Sequence, residues 1–297
     1  MRVEESIIRN VFASDKNLDG LWDSIIVSGA VKDQLLNHAL LALELRAKLR
    51  FATTALHGLI LLIGPPGTGK TTLARSLVTQ LAPRVPGRKA RLIEVNPHGL
   101  MSAEHGQTQQ LVMKLLGEHI PSLAADGLPT VVLLDEVESM AVARSEASLS
   151  ANPADVHRAT DAVLAALDRN TEESPHIIVV ATSNFPRALD EALRSRADAV
   201  VELPLPDRAA ITEILKTTLT SFVPADRHFG ELAGSDRLPK VANELVGCDA
   251  RRVRKVVTEA IALKLDTVLE FKRLSIDDLI TAARNAKASL PKAERRG

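Results

Sequence analysis

Short apolar runs alternate with segments of helical periodicity over the first two thirds of the chain. The runs are rich in Val, Ile and Leu without polar alternation, which is typical of parallel strands covered by helices on both faces. Strands that alternate with helices predict a doubly wound α/β domain. The five predicted strands, which would form a five-stranded parallel sheet, are Gly58–Ile63, Arg91–Val95, Val131–Leu134, Ile177–Ala181 and Ala199–Leu203.

The helical segments of this part of the chain are predicted at Asp33–Arg50, Thr71–Leu81, Gln107–Leu116 and Asp155–Leu167. After Pro206 every periodic segment is helical, with predicted starts at Asp207, after Pro239, at Asp249 and at Ser275. Ser275 and Asp278 have the spacing of a capping box. The sequence therefore predicts a short N-terminal segment (1–20), a large α/β domain (21–206), a small all-helical domain (207–290) and a tail (291–297).

Composition narrows the class of protein further. The chain has 37 Lys and Arg residues and 37 Asp and Glu residues, so its formal net charge is zero. The overall charge therefore gives no indication of binding to nucleic acid or to an anionic membrane. Aromatic residues make up only 2%, which argues against modules that stack bases on aromatic side chains. A single cysteine, Cys248, excludes an internal disulfide framework, and no apolar run approaches the ~18 residues of a membrane span. We expect a soluble, cytoplasmic protein.

A glycine-rich loop follows the first predicted strand and opens a helix. Its pattern, G-x-x-x-x-G-K-T, lets backbone N–H groups curl around phosphate oxygens at a helix N-terminus. Lys70 adds a charge at the β- and γ-phosphates, and the Thr71 hydroxyl suits Mg²⁺. The residues predicted to bind a nucleotide here are Gly64, Pro65, Pro66, Gly67, Thr68, Gly69, Lys70, Thr71 and Thr72.

Two carboxylates follow the strand Val131–Leu134, at the carboxyl end where ligands of open α/β sheets bind. Asp135 is predicted to hold Mg²⁺ together with Thr71, and Glu136 is predicted to polarise an attacking water. By itself such an acidic pair is often a solvated loop or a helix cap, but the upstream phosphate loop favours the catalytic interpretation. A base at Glu136 also distinguishes a hydrolase from a kinase.

Three further positions have both a functional and a structural interpretation. Asn184 would reach the γ-phosphate or its water if its strand lies beside the first one, although Asn after a strand is commonly a turn former. Arg196 could neutralise a phosphoryl group bound by a neighbouring subunit, or simply pair with Asp198 on the surface. The basic cluster Arg251–Lys255 could be a solvated helix face, a nucleic-acid patch or the source of an arginine that reaches the nucleotide.

Together these residues resemble the AAA+ ATPases, and within them the pachytene-checkpoint ATPases that remodel HORMA-domain proteins. The likeness covers nearly the whole chain, and bacterial members occur beside HORMA-like proteins and cyclic-oligonucleotide synthases in anti-phage signalling. The matching segments are Leu21-Trp-Asp-Ser-Ile-Ile26, Leu134-Asp-Glu-Val-Glu-Ser139 followed by Ala143-Arg144, Thr182-Ser-Asn184 and Ser195-Arg-Ala-Asp198.

The resemblance implies a P-loop fold with a helical lid, a homohexameric ring, ATP with Mg²⁺, and a HORMA-domain partner with or without a cyclic-oligonucleotide synthase. It also implies that Arg196 is a finger acting on a neighbour's nucleotide and that Arg251 is the lid arginine that senses it. Two features depart from the family. Only about twenty residues precede the Leu21–Ile26 segment, and the expected pore loop, residues 100–106, has no aromatic residue. Leu100 and Met101 could grip a chain through apolar contacts and His105 through packing; the alternative is that this segment is only a mobile surface loop.

The alternative is a nucleic-acid motor, such as a helicase or transposition loader, that uses the Arg251–Lys255 cluster as its DNA contact. A nucleotide-dependent scaffold without substantial turnover is a third hypothesis, which the presence of Glu136 opposes. Stimulation of ATP hydrolysis by DNA, declining with salt, would favour the motor, whereas stimulation by a protein would favour the remodeller.

Overall fold

The computed structural model describes residues 3–96, 100, 107–141 and 153–290, with side chains from residue 4 and, within the helix 153–173, from residue 158. These residues fall into two compact units. One lies within Met1–Gly64 and Lys70–Leu203, and the other within Pro65–Gly69 and Pro204–Gly297. None of the described helices has the length and apolarity that a bilayer crossing requires.

A mixed sheet forms the centre of the first unit. Its strands, in the order β1-β3-β4-β5-β2-β6, are all parallel to their neighbours except β1, which is antiparallel to β3. The α/β class is confirmed, but the predicted count of five strands is wrong, because the sheet has six. The strands are β1 (Ile7–Phe12), β2 (Leu59–Ile63), β3 (Arg91–Val95), β4 (Thr130–Leu134), β5 (Ile177–Ser183) and β6 (Ala199–Glu202).

The strand that the sequence did not predict, β1, lies at the edge of the sheet. Half-buried and exposed residues alternate along it, and Ile8 and Phe12 are 58% and 47% exposed. Arg9 and Asn10 interrupt its apolar residues. An edge strand of this kind therefore lacks the continuous apolar run that marks strands buried on both faces.

Helices cover both faces of the sheet. Leu59 and Leu61 of β2 pack into a core with helices that follow β3 in the chain, whereas Ile60 and Leu62 pack into a separate core on the other face. A π-helical turn, Leu115–His119, joins two of these helices. The helices are α1 (Leu21–Ser24), α2 (Gly29–Arg46), α3 (Phe51–Thr54), α4 (Lys70–Leu81), α5 (Gln107–Lys114), α6 (Ile120–Leu123), α7 (Pro153–Glu173) and α8 (Glu191–Ser195).

The described part of the second unit outside residues 65–69 is helical. Asp207 and Asp249 cap helices through side-chain acceptors, and Ser275 with Asp278 forms the predicted capping box. Its helices are α9 (Arg208–Ser221), α10 (His228–Ala233), α11 (Leu238–Glu244), α12 (Ala250–Ala262), α13 (Leu265–Leu269) and α14 (Ile276–Ala288). The sequence did not predict the short helices α10 and α13.

Candidate nucleotide site

The carboxyl ends of three adjacent strands bring the predicted site residues together. In the sheet, β5 lies between β4 and β2, and all three run parallel. Asp135 follows β4, Asn184 follows β5, and Gly64 follows β2. The condition set for Asn184, that its strand lies beside the first parallel strand, is thus confirmed.

Lys70 is the first residue of α4, and its side chain is almost entirely buried. Its ammonium donates to the carbonyl oxygen of Gly64 and to Oδ1 of Asn184, at 2.8 Å in each case. Burial of an ammonium is favourable only when hydrogen-bond partners compensate for lost water. The two acceptors therefore hold the positive charge of Lys70 at the mouth of the glycine-rich loop.

Asp135 is bound by two hydroxyl groups. Thr71 Oγ1 donates to Asp135 Oδ1 at 2.6 Å, and Thr182 Oγ1, from β5, donates to the same oxygen at 2.5 Å. Hydrogen bonds to an ionised acceptor are short and strong, so they fix the carboxylate beside the start of α4. The hydroxyl and carboxylate oxygens that were predicted to hold Mg²⁺ are thus direct neighbours.

Glu136 adopts a left-handed backbone conformation with φ of 52°. Such conformations are uncommon for residues other than glycine, and they cluster at functional sites where the surrounding structure imposes them. Here the Glu136 N–H donates to Thr182 Oγ1 at 3.1 Å, and Glu136 Oε1 accepts from Asn184 Nδ2 at 3.3 Å. The backbone turn and the amide together direct the Glu136 carboxylate to the side chain of Asn184.

Asn184 connects the two charged groups of the cluster. Its carbonyl oxygen accepts from Lys70, its amide group donates to Glu136, and its backbone N–H donates to Glu138 Oε1 at 3.1 Å. Glu138 and Thr182 lie in the segments that match the family, but sequence reasoning assigned a role to neither. The sequence signal for Thr182 was a hydroxyl residue at the end of the predicted strand Ile177–Ala181. In the sheet this strand lies beside β4, which Asp135 follows.

The glycine-rich loop is shaped by glycines in conformations that other residues rarely adopt. Gly64, Gly67 and Gly69 have φ of 146°, 78° and 97°. Thr68 Oγ1 donates to the Pro65 carbonyl at 2.9 Å, and a Cβ on Gly67 would lie 2.1 Å from Asp249 Oδ1. The other predicted loop residues, Pro66 and Thr72, lie in the turn and in the first turn of α4 respectively.

Arg251 lies in the first turn of α12, and its backbone N–H donates to the Gly67 carbonyl at 3.2 Å. A role of its side chain toward a nucleotide stays a prediction. Its neighbour Arg252 donates from Nη1 to the Ala286 carbonyl at 2.8 Å and to Ser289 Oγ at 2.5 Å. Arg252 is therefore engaged within the helical unit, whereas Arg251, Arg254 and Lys255 are exposed.

Arg196 caps the C-terminus of α8, and its ion pair is not the one suggested by the sequence. Its partner is Asp168 of α7, whose carboxylate accepts from Nε at 2.8 Å and from Nη2 at 2.9 Å. The suggested partner, Asp198, instead accepts the backbone N–H groups of His57 and Gly58 at 2.8 and 2.7 Å. Burial raises the pKa of Asp198, whereas hydrogen bonds from Arg196 lower the pKa of Asp168.

The predicted pore loop lies almost entirely outside the described residues, as does the Ala143-Arg144 segment. Leu100, its first residue, is fully buried in the core on one face of the sheet. The expectation that Leu100 grips a substrate is therefore wrong, since its side chain is used in packing.

Comparison with known proteins identifies the family of the chain. The model of the ATPase family associated with various cellular activities (AAA) matches residues 60–205, and the chain belongs to this family. It is 46% identical over 273 residues to CD-NTase-associated protein 6 of Pseudomonas aeruginosa, an alignment that spans 92% of this chain and 90% of that protein.

More distant relatives share the fold over different lengths. The chain is 36% identical over 211 residues to the pachytene checkpoint protein 2 homolog of Arabidopsis thaliana, covering 70% of this chain but only 45% of that protein. A chain in the solved E. coli MS115-1 HORMA:CdnC:Trip13 complex superposes with a TM-score of 0.75, covering 98% of this chain and 97% of that chain. At 17% identity this second likeness shows the fold alone.

Proposed function

We propose that this chain is a Mg²⁺-dependent ATPase that works as a homohexamer and uses hydrolysis to remodel a HORMA-domain protein. The observation that carries the proposal is the hydrogen-bonded cluster at the ends of β2, β4 and β5. In it Asn184 joins Lys70 to Glu136, while Asp135 joins Thr71 to Thr182. Family membership supports nucleotide binding at this cluster.

The oxygen atoms of the cluster fit the metal that accompanies ATP. Mg²⁺ prefers carboxylate and hydroxyl oxygens together with water and substrate phosphates. Thr71 Oγ1 and Asp135 Oδ1 are 2.6 Å apart, so both belong to one polar site. Thr71 and Asp135 would hold Mg²⁺, which neutralises charge that develops on the phosphates.

Each remaining residue then has a distinct task. The backbone of the loop from Gly64 to Gly69 would surround the phosphates, with Thr72 in the adjoining helical turn. The family resemblance implies that Arg251 senses the nucleotide. Lys70 would bind the β- and γ-phosphates through its buried ammonium. Glu136 would accept the proton of the water that attacks the γ-phosphorus, and Asn184 would orient that water and Glu136.

Arg196 completes the site from a second copy of the chain. An arginine donated by a neighbour stabilises the charge of the transferred phosphoryl group. Its side chain is one quarter exposed, which leaves part of it accessible to a partner subunit. This role requires an assembly, and the family resemblance supports a homohexamer.

The proposed substrate rests on the relatives. The name of the P. aeruginosa relative links it to a CD-NTase, and the structural neighbour was solved with a HORMA protein and CdnC. We infer that this chain acts in the cytoplasm on a HORMA-domain protein, free or bound to a cyclic-oligonucleotide synthase. Disassembly of that complex would end anti-phage signalling.

Replacing the proposed base tests the enzymatic part of the proposal. Glu136→Gln should bind ATP as the unmodified protein does but hydrolyse it at least ~10²-fold more slowly, because the amide cannot accept the water proton. Phosphate release under saturating ATP measures turnover, and equilibrium titration with a fluorescent ATP analogue measures binding. Glu172→Gln removes an exposed carboxylate of α7 and is the matched control. Near-normal turnover in Glu136→Gln would remove Glu136 from the mechanism.

A further inference from the structure

The side chain of Arg196 forms a bidentate ion pair with Asp168. The Nε and Nη2 groups of Arg196 donate to the two carboxylate oxygens at 2.8 and 2.9 Å, and Nη1 donates to the Ala192 carbonyl at 3.1 Å. A bidentate guanidinium–carboxylate pair fixes the plane of the guanidinium as well as its position. The orientation of Arg196 is thus set by a residue outside its own helix.

The pair leaves part of the guanidinium available. Arginine has five N–H groups, and three of those on Arg196 donate to Asp168 and Ala192. Within the described part of the chain, two N–H groups of Arg196 remain for an incoming acceptor. A phosphate oxygen could therefore bind Arg196 without displacing Asp168.

Arg196 and Asp168 belong to parts of the fold with helices of very different length. Arg196 follows α8, a helix of five residues, whereas Asp168 lies in α7, a helix of 21 residues. Ala162, Val163 and Ala166 of α7 are buried in the core of the first unit. An arginine side chain has about 2 kcal/mol of rotamer entropy to lose, and a short helix alone does little to restrict it.

The surroundings favour an ionised Asp168. Hydrogen bonds from Arg196 lower the pKa of Asp168, and the Nε2 atom of His57 lies 3.8 Å from Asp168 Oδ1. Burial lowers the pKa of His57, so the imidazole is neutral at pH 7 and does not compete with Arg196 as a cation. The Asp168 carboxylate therefore pairs with the guanidinium of Arg196.

We propose that Asp168 is a positioning residue that presents Arg196 in a fixed orientation to the nucleotide bound by a neighbouring subunit. The proposal rests on the role of Arg196 given above. Preorganised donors need no rearrangement at the moment of reaction, and small misplacements of such groups cost large factors in rate. Asp168 would therefore affect catalysis through Arg196.

Asp168→Asn in the full chain tests this inference. The amide retains the size of the carboxylate, but it lacks the charge and directs an NH₂ group at the guanidinium. We expect kcat for ATP to fall about 10-fold or more, with KM changed less than about 2-fold, since positioning acts in the transition state. Asp168 is 46% exposed, so the melting temperature should change little.

Two readouts separate positioning from a general structural effect. Adding Asp168→Asn to Arg196→Ala should slow hydrolysis no further, because both changes remove the same interaction. In mixed assemblies, Asp168→Asn should gain activity with Lys70→Ala, which supplies an intact finger, and none with Arg196→Ala. The matched control is Glu173→Gln, which breaks the exposed 2.7 Å pair with Arg169 on the same helix and should leave kcat unchanged.

The possible failures are distinguishable. Full activity of Arg196→Ala would overturn the proposed finger itself. An inactive Arg196→Ala together with normal kcat in Asp168→Asn would overturn only the positioning role. A faster Asp168→Asn would mean that Asp168 sequesters the finger, and an additive double variant would mean that the two residues act separately.

Discussion

Gly64 shows how a single residue constrains the phosphate loop. Its φ of 146° is rarely adopted by other residues, and a Cβ there would lie 2.2 Å from the carbonyl oxygen of Leu203. Leu203 follows β6, the neighbour of β2, so the clash involves backbone that the sheet holds in place. A side chain at this position would have to push the loop away from the sheet.

Gly64→Ala should therefore weaken ATP binding at least about 10-fold and lower the melting temperature, because the loop must shift to relieve the clash. Gly87→Ala is the matched control, since Gly87 also has a positive φ of 72° but no other atom lies within 4 Å of the position that a methyl group would occupy. The control should cost only the backbone strain, about 1–2 kcal/mol of unfolding free energy, and leave ATP affinity unchanged. Equal ATP affinity in both variants would contradict the close approach.

At the scale of single residues, the sequence predicted which residues lie close together in the site but not which hydrogen bonds they form. Strand ends in a parallel sheet converge, so Lys70, Asp135 and Asn184 could be brought together from the motifs alone. The roles of Thr182 and Asp168 depend on which way side chains point across neighbouring elements. Spacing along the chain contains no such information, and it suggested Asp198 as the partner of Arg196.

A histidine links two elements of the helical unit. His228, the first residue of α10, contacts Glu231 Oε2 through Nδ1 at 2.9 Å and the Leu274 carbonyl through Nε2 at 2.7 Å. Leu274 immediately precedes the cap of α14. Burial lowers the pKa of His228, but the Leu274 carbonyl and the Glu231 carboxylate outweigh it, so the pKa is raised above its usual value.

A raised folded-state pKa means that protonated His228 stabilises the fold below the unfolded-state pKa of about 6.5. This contribution is lost as the pH rises through the folded-state pKa. His228→Gln should therefore lower the melting temperature more at pH 5.5 than at pH 8.5. Glu231→Gln, which removes the negative charge beside the imidazole but keeps an acceptor oxygen, should show a smaller difference in the same direction. A larger effect of His228→Gln at pH 8.5 would contradict the assignment.

Elements with a strong periodic pattern were predictable, and short or one-sided ones were not. The buried strands β2 to β5 and the capped helices starting after Asp207, Asp249 and Ser275 have local signals that agree with their tertiary roles. The edge strand β1 alternates half-buried and exposed residues, so it has no continuous apolar run. The other edge strand, β6, alternates buried and exposed residues, and its short apolar run gave a weaker signal. Helices of five or six residues, such as α13 and α10, are formed by packing rather than by their own periodicity.

At the scale of the whole molecule, the sequence of one chain is enough to establish the family and the fold. The assembly and the substrate involve more than one chain. The residues of one subunit supply Lys70, Thr71, Asp135, Glu136 and Asn184 in one cluster. The proposed action of Arg196 on a neighbouring copy and the proposed remodelling of a HORMA-domain protein both concern surfaces that only an assembly or complex would bring together. No motif within one sequence encodes the identity of that partner.

The central claim is that this chain is an ATPase that remodels a HORMA-domain protein, and it requires that ATP binding promote engagement of that protein. The most direct measurement mixes purified Glu136→Gln protein with a HORMA-domain protein from the same host and follows complex formation by size-exclusion chromatography with light scattering. With ATP, we predict a stable complex of one hexamer with the HORMA-domain protein, because binding persists when hydrolysis is blocked. Lys70→Ala, the control that lacks the phosphate-binding ammonium, should form none. Absence of an ATP-dependent complex, together with hydrolysis by the unmodified protein that DNA stimulates and salt suppresses, would contradict the account and favour a nucleic-acid motor.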